Sequence, residues 1–508
     1  MLARVPVLFA CLLLACSRSE EREVEAPSDS TSPVAEALRA GAEARGADSR
    51  PSVLLVVIDT LRADAVSSYG EVEGTTPVLD GLAAQGLRYE RSFAPAPFTA
   101  SSHASLFTGL RVDEHGVGLS QPPLAAPSLQ VLAEDFQDAG YATAGFSENS
   151  LLGPEFGFDQ GFDRYEVADL LEVVKTDMRG EDSADVLGTL ARVRRFLRER
   201  DPSQPYFIFV NLIDPHDPYI VRTENPWLPE GTDRVRAETV KASYRIPMSL
   251  CYRVPPTEDR EILRGLYLGD VAAADRKLGR LLALLDSVAP GEPRLTVVTS
   301  DHGEHFGEHR LMGHRFSVRH PVLRIPLVVA GLPETPPAVI ATPVEMRHLY
   351  GSLLCWALGR SCPAALPVEP GAAPETESAP IFSIWSDEVA TTPKIHRERL
   401  GFGDGEWKPD WSRDACRPDD RVFGDMVSMI RYPMKATWVE GQGIELHDLS
   451  WDPDERSDQR EVQAAVAEPL ARELEAFVEE RIVGRDRTPE GELDLETTRA
   501  LKSLGYIE

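Results

Sequence analysis

Four short runs of the chain are apolar with almost no polar interruption: Ser52–Ile58, Tyr206–Leu212, Leu295–Thr299 and Pro326–Ala330, each bounded by turn residues. A strand with one wet face alternates apolar and polar side chains, so runs apolar at successive positions predict parallel strands buried on both faces. Between them the apolar positions recur at helical spacing. Within Leu263–Leu285 they are Tyr267, Val271, Leu278, Leu281, Leu282 and Leu285, which predicts a helix packed on the sheet. The pattern is that of an α/β sandwich with a central, mostly parallel sheet. Beyond Pro380 it changes: Ile381–Trp385, Met426–Arg431 and Met434–Trp438 alternate like strands of a small antiparallel sheet, and Val462–Val483 reads as an amphipathic helix. The chain accordingly divides into a main domain (51–362), a linker rich in Pro, Ala and Glu (363–380) and a C-terminal α+β subdomain (381–508).

The residues just after the buried runs carry the chemistry. The first run ends in Asp59, the second continues through Asn211 to Asp214-Pro-His216, and the third ends in Ser300-Asp301-His302. Ligands of open α/β sheets collect outside the carboxyl ends of the strands, so three strands aim acidic and imidazole groups at one edge. A second window, Ala94-Pro-Ala-Pro-Phe-Thr99-Ala-Ser-Ser-His103, continues to Thr108-Gly109. Pro95 and Pro97 impose an extended approach, and Thr99 onward starts a helix that Gly109 ends. The Thr99 hydroxyl then sits at a helix N-terminus, where free amides and the helix dipole favour an anionic oxygen or ligand. A plain helix-capping role for Thr99 is the rival explanation.

The beginning of the chain reads as an address. Arg4, the short apolar run Val5–Ala15 and Leu13-Leu14-Ala15-Cys16 resemble a lipoprotein signal peptide (1–16) cleaved before a lipidated Cys16, with an ordinary secretory signal as the alternative. Residues 17–50 are poor in large apolar side chains and read as a disordered tether. The expected location is the periplasm or outer face of a bacterial membrane, held there by the lipid alone. An oxidising compartment would let Cys251, Cys355, Cys362 and Cys416 pair, in a connectivity that spacing does not reveal. With 53 Lys and Arg against 82 Asp and Glu, the net charge of −29 repels phosphate backbones and excludes nucleic acid as a partner. A small anionic substrate is still compatible, because a metal ion dominates the field inside a cleft.

Taken in order, the motifs resemble the sulfatases of the alkaline-phosphatase superfamily. They are Asp59-Thr-Leu-Arg-Ala-Asp64, Thr76-Pro-Val-Leu-Asp80, the Thr99–Gly109 window, His115-Gly-Val117, Asp214-Pro-His-Asp-Pro-Tyr219, Ser300-Asp-His-Gly-Glu304, Gly313-His314, Leu323–Leu327 and Glu445–Leu449 with Asp452–Glu455. The resemblance implies an alkaline-phosphatase-like fold and hydrolysis of an anionic ester. It also implies a divalent metal held by Asp59, Asp301, His302 and the Thr99 oxygen, with Thr99 as nucleophile. His216 and His314 would contact the ester oxygens and protonate the leaving group, and His103 and Arg62 would bind the substrate. Two departures matter. Family members convert a Cys or Ser at the nucleophile position to formylglycine, which Thr99 cannot become, so no formylglycine is expected. His103 also replaces the family's permanently charged arginine. These features leave sulfate and phosphate esters as rivals, on a glycan, a lipid headgroup or a small molecule. A mixed carboxylate and imidazole set suits manganese, zinc or iron better than calcium, with calcium or magnesium as the alternatives should His302 turn away. The alternatives are a phosphoryl-headgroup transferase or phosphodiesterase of the envelope, and a catalytically dead binding protein.

Overall fold

A computed structural model describes residues 50–70, 72–118, 129–168, 188–249, 255–360, 365–369, 379–386 and 424–483. The leader with Cys16, the tether to 49, most of the linker, Cys251, Cys362, Cys416, the loop 395–418 and the closing segment 501–506 lie outside the described residues.

The centre is a nine-stranded sheet. Its order is β10 (Ala338–Ile340), β2 (Leu87–Phe93), β9 (Arg324–Ala330), β6 (Arg294–Thr299), β1 (Ser52–Ile58), β5 (Tyr206–Leu212), β3 (Ala142–Ser147) and β4 (Arg164–Val167), with β11 (Val344–Glu345) also paired to β2. Strands β6, β1, β5, β3 and β4 are parallel neighbours. β9 runs antiparallel to both β2 and β6, which corrects the expectation of a parallel strand over Pro326–Ala330. A strand buried on both faces has the same apolar pattern in either direction. The segment joining β6 to β9 also builds no crossover helix; it folds into the ribbon of β7 (His305–Phe306) and β8 (Met312–Gly313) and a single helical turn, His320–Leu323.

The period of two along each strand explains the continuous apolar runs. Val53, Leu55 and Val57 of β1 with Phe207 and Phe209 of β5 point to one core; Leu54, Val56 and Ile58 with Ile208, Val210 and Leu212 point to the other. Of the helices longer than one turn, α2 (Thr99–Thr108), α3 (Leu132–Asp138) and α7 (Leu349–Leu358) cover the first face. The opposite face is covered by α1 (Pro77–Gln85), α4 (Thr189–Glu199), α5 (Arg234–Ser249) and the 32-residue α6 (Thr257–Val288). None of these described helices is long and apolar enough to cross a membrane. Cys355, on α7, is disulfide-bonded.

A second, antiparallel sheet has the order β12 (Ile381–Trp385), β13 (Met426–Arg431), β14 (Met434–Val439) and β15 (Gly443–Asp448). One face meets α8 (Ala464–Val478) through Val427, Met429, Leu446, Ala471 and Leu474; from the other, Ile381, Trp385, Met426 and Ile430 enter the core of the main sheet. Two bonds tie β12 to the approach to α2: the Ile384 amide donates to Pro95 O at 2.9 Å and the Ser383 hydroxyl to Ala94 O at 2.7 Å.

Candidate active site

Four adjacent strands, β6, β1, β5 and β3, end at one edge of the sheet. Asp301 and His302 come after β6, Asp59 after β1, Asp214 and His216 after β5, and Glu148 and Asn149 after β3. The metal-binding atoms offered by Asp59, Asp301 and His302 all lie within 4.8 Å of one another, and the three residues are fully buried.

Each of these groups is bound on one side and bare on the other. Asp59 Oδ2 accepts from Asn149 Nδ2 at 2.7 Å and Asn211 Nδ2 at 3.4 Å, while Oδ1 has no partner. Asp301 Oδ1 accepts the amides of Thr60 (3.1 Å) and His302 (2.9 Å), and Oδ2 has none. His302 Nδ1 lies 3.1 Å from Gly303 O; a carbonyl only accepts, so Nδ1 carries the proton and the unpartnered Nε2 presents its lone pair. The hydroxyls of Thr60 and Thr99, also fully buried, are unpartnered too. A bare buried carboxylate costs several kcal/mol unless a cation compensates it, on the order of the penalties for unpaired buried ions. Burial, then the neighbouring Asp301 carboxylate, raises the Asp59 pKa, and burial raises that of Asp301. Burial lowers His302 to about 4, so its ring is neutral and able to ligate. Carboxylate oxygens from two residues and one imidazole nitrogen, all within 4.8 Å of one another, fit a divalent cation of mixed oxygen and nitrogen preference.

Thr99 is the first residue of α2, after Phe98 in extended conformation, and its hydroxyl caps nothing. The first turn of α2 lies against Asp301: Ser102 Oγ donates to Asp301 O at 2.7 Å, and His103 Nδ1 stands 3.9 Å from Asp301 Oδ2. Thr60 adopts a left-handed backbone (φ 53°), unusual for a β-branched residue, and this turn aims its amide at Asp301. Its hydroxyl caps no helix.

The histidines share one arrangement. His103 Nδ1 contacts Thr99 O at 2.9 Å, His314 Nδ1 contacts Pro97 O at 2.9 Å and His216 Nδ1 contacts Asp217 O at 2.6 Å. As in His302, Nδ1 is thereby the donor, and in His103, again as in His302, Nε2 has no partner. His314 stacks on His302 (ring centroids 4.3 Å apart) and meets His216 edge-on (5.5 Å). Burial and the rings of His302 and His216 hold His314 well below the usual histidine range. For His216 burial acts downward, but the carboxylates of Asp59 and Glu304 outweigh it and raise the pKa.

Arg62 is placed elsewhere. Its guanidinium grips Asp64 through two bonds of 2.7 Å, and Nη1 donates to Glu308 Oε1 (2.7 Å) and Glu304 O (2.8 Å). Its donors turn to the Asp64 and Glu308 carboxylates and to Glu304 O, and through them it buttresses the ribbon β7–β8. His305 bonds Ser317 Oγ at 2.8 Å, and His309 bonds Asp454 O at 2.6 Å. His115 accepts the Val117 amide on Nδ1 and so donates through Nε2 to Ser105. The residues the motifs did not reveal are Asn149 and Lys277, which reaches from α6 to Glu148 (3.0 Å) and Asp214 (2.8 Å); within the motifs, Tyr219 donates to Glu304 at 2.5 Å.

A sequence model of the sulfatases matches residues 51–359. The Delta 4,5-hexuronate-2-O-sulfatase of Bacteroides thetaiotaomicron is 23% identical over 440 residues, which cover 81% of this chain and 84% of that protein. Iduronate 2-sulfatase of Homo sapiens is 26% identical over 332 residues, covering 55% of this chain and 59% of the relative. In fold the chain is similar to the phosphonate monoester hydrolase of Agrobacterium radiobacter, with a TM-score of 0.61 and 20% identity over 87% of this chain and 99% of that one. The matched segment runs from β1 to the end of α7, the stretch that supplies every residue of the buried cluster, and on this ground the chain belongs to the sulfatase family of ester hydrolases.

Proposed function

We propose that the protein hydrolyses a sulfate or phosphate ester with Thr99 as nucleophile, a divalent cation held by Asp59, Asp301 and His302, and Cys16 as a lipid anchor outside the cytoplasmic membrane. The observation that carries the reading is the buried cluster of Asp59, Asp301 and His302, each with a side-chain atom lacking a partner, with the first turn of α2, which Thr99 heads, bonded to Asp301. A divalent cation bound there supplies Lewis acidity and lowers the cost of ionising the Thr99 hydroxyl. The α2 N-terminus steadies the resulting oxyanion through its free amides.

Thr99 Oγ1 attacks sulfur or phosphorus, and the ester oxygen leaves as an alcohol with a proton from His216. An imidazole suits this role because it can give up and take back a proton near neutral pH. A water molecule then cleaves the Thr99 ester: its hydroxyl goes to sulfur or phosphorus and its proton to His216, which restores the ring and the ionised Thr99. His314, kept neutral, orients the ester oxygens. His103 stands where an arginine would carry permanent charge, so anion binding depends on imidazoles and the cation. Relatives named for hexuronate and iduronate sulfates favour a sulfated glycan, and the phosphonate hydrolase fold keeps phosphorus esters open.

The test is the purified protein, with its metals counted, assayed against a sulfate monoester, a phosphate monoester and a phosphodiester of matched leaving group. The expected result is turnover of at least one, lost on chelation and regained with manganese or zinc. Indifference of turnover to chelation, or no turnover of any ester by metal-loaded protein, would overturn the proposal.

A further inference from the structure

We infer that Asn149 is a positioning residue that orients the Asp59 carboxylate, leaving one oxygen free for the cation; the inference rests on the reading of Asp59 as a cation ligand. The amide nitrogen of Asn149 donates to Asp59 Oδ2 at 2.7 Å, shorter than the 3.4 Å from Asn211 on the same oxygen. Asp59 Oδ1 receives no hydrogen bond. A neutral amide suits this task. A lysine would cancel the charge that attracts the cation, and a second carboxylate would repel Asp59 or compete for the cation.

The amide is fixed from several sides. Asn149 Oδ1 accepts the Leu151 amide at 2.9 Å, which settles which side-chain atom is nitrogen. The Asn149 backbone amide donates to Ser147 Oγ, and that hydroxyl donates back to Asn149 O, both at 3.0 Å. The intervening Glu148 is held by Lys277 at 3.0 Å, Thr189 at 2.8 Å and the Ile213 amide at 3.2 Å. Lys277 also binds Asp214 at 2.8 Å, two residues before His216. One ammonium on α6 thus ties the segment that orients Asp59 to the segment that carries His216, so the cation cluster and the proton donor share a frame. Such side chains behind a metal ligand are worth roughly 10- to 100-fold in metal affinity.

The experiment is calorimetric titration of Mn²⁺ alone into metal-free full-length wild type, Asn149→Ala and Ser147→Ala at one pH, with thermal melting of each metal-free protein. Wild type should bind Mn²⁺, Asn149→Ala should bind it about 10- to 100-fold more weakly, and Ser147→Ala should fall between. A purely structural role would shift melting and leave the affinity of the folded protein alone. Wild type that binds no Mn²⁺ would reject the cluster as a cation site and the inference with it. Wild type that binds while Asn149→Ala binds equally well would reject the inference and spare the site. Should Asn149→Ala not fold, Ser147→Ala decides: weaker binding supports the inference and unchanged binding overturns it.

Discussion

Arg62 sits one turn beyond Asp59, yet its 2.7 Å bonds run to Asp64 and Glu308 and away from the bare oxygens. Arg62→Ala would leave Asp64 with Arg264 alone and Glu308 with the Phe306 amide, a loss of about 2–3 kcal/mol, the scale of hydrogen bonds to charged groups. The expected result is a lower denaturation midpoint with little change in KM; a large rise in KM at unchanged stability would return Arg62 to substrate binding. Single residues are legible in the sequence where they end a strongly apolar strand, as Asp59, His216, Asp301 and His302 do. Asn149 is not, because β3 reads Ala-Thr-Ala-Gly-Phe-Ser, too small and too polar to announce a buried strand. The role of Arg62 is hidden because its partner Glu308 lies far along the chain, on a ribbon that no local pattern reveals.

At the scale of elements, α2 transmits the fold to Thr99. Its far end is fixed by Gly109, whose backbone is left-handed (φ 72°) and whose missing Cβ would lie 2.9 Å from the Tyr350 ring on α7. Gly109→Ala would meet both obstacles, so a loss of about 1–2 kcal/mol is expected, more than the ordinary penalty of alanine at positive φ. Chemical denaturation checks the size, and a variant as stable as wild type would mean that this end of α2 is not clamped. The helix is readable from its proline approach and glycine stop, as are α6 and β12 to β14 from their periods. β15 is not, because Gly443–Asp448 mixes glycine and charged residues, nor is the direction of β9, because burial on two faces carries no sign.

For the whole molecule, the negative net charge and the buried acids act together. Burial pushes Asp270 up to about 8 and Glu345 to about 7, so each keeps its proton in the fold at a pH where the unfolded chain has lost it. A raised carboxyl contributes stability that is complete below the ordinary carboxylate range and is lost as pH climbs through the folded value. The buried rings of His115, His302, His320 and His348, all lowered, act in the opposite sense just above pH 6.5, where unfolded imidazoles still release protons, so the contribution of one acid is read from a variant that lacks it. Between pH 6.5 and pH 8 the thermal midpoint of metal-free Glu345→Gln should therefore rise relative to that of wild type; a difference that stays constant across this window would contradict the assignment. Manganese or zinc should raise the midpoint at either pH, since a ligand of the folded state alone stabilises it. The central claim, that a threonine oxygen beside a cation cluster performs the attack, is tested most directly by turnover of the best ester by metal-loaded Thr99→Ala. The account predicts turnover reduced to background while the variant still folds and retains metal; turnover at the wild-type rate would show that another group makes the attack.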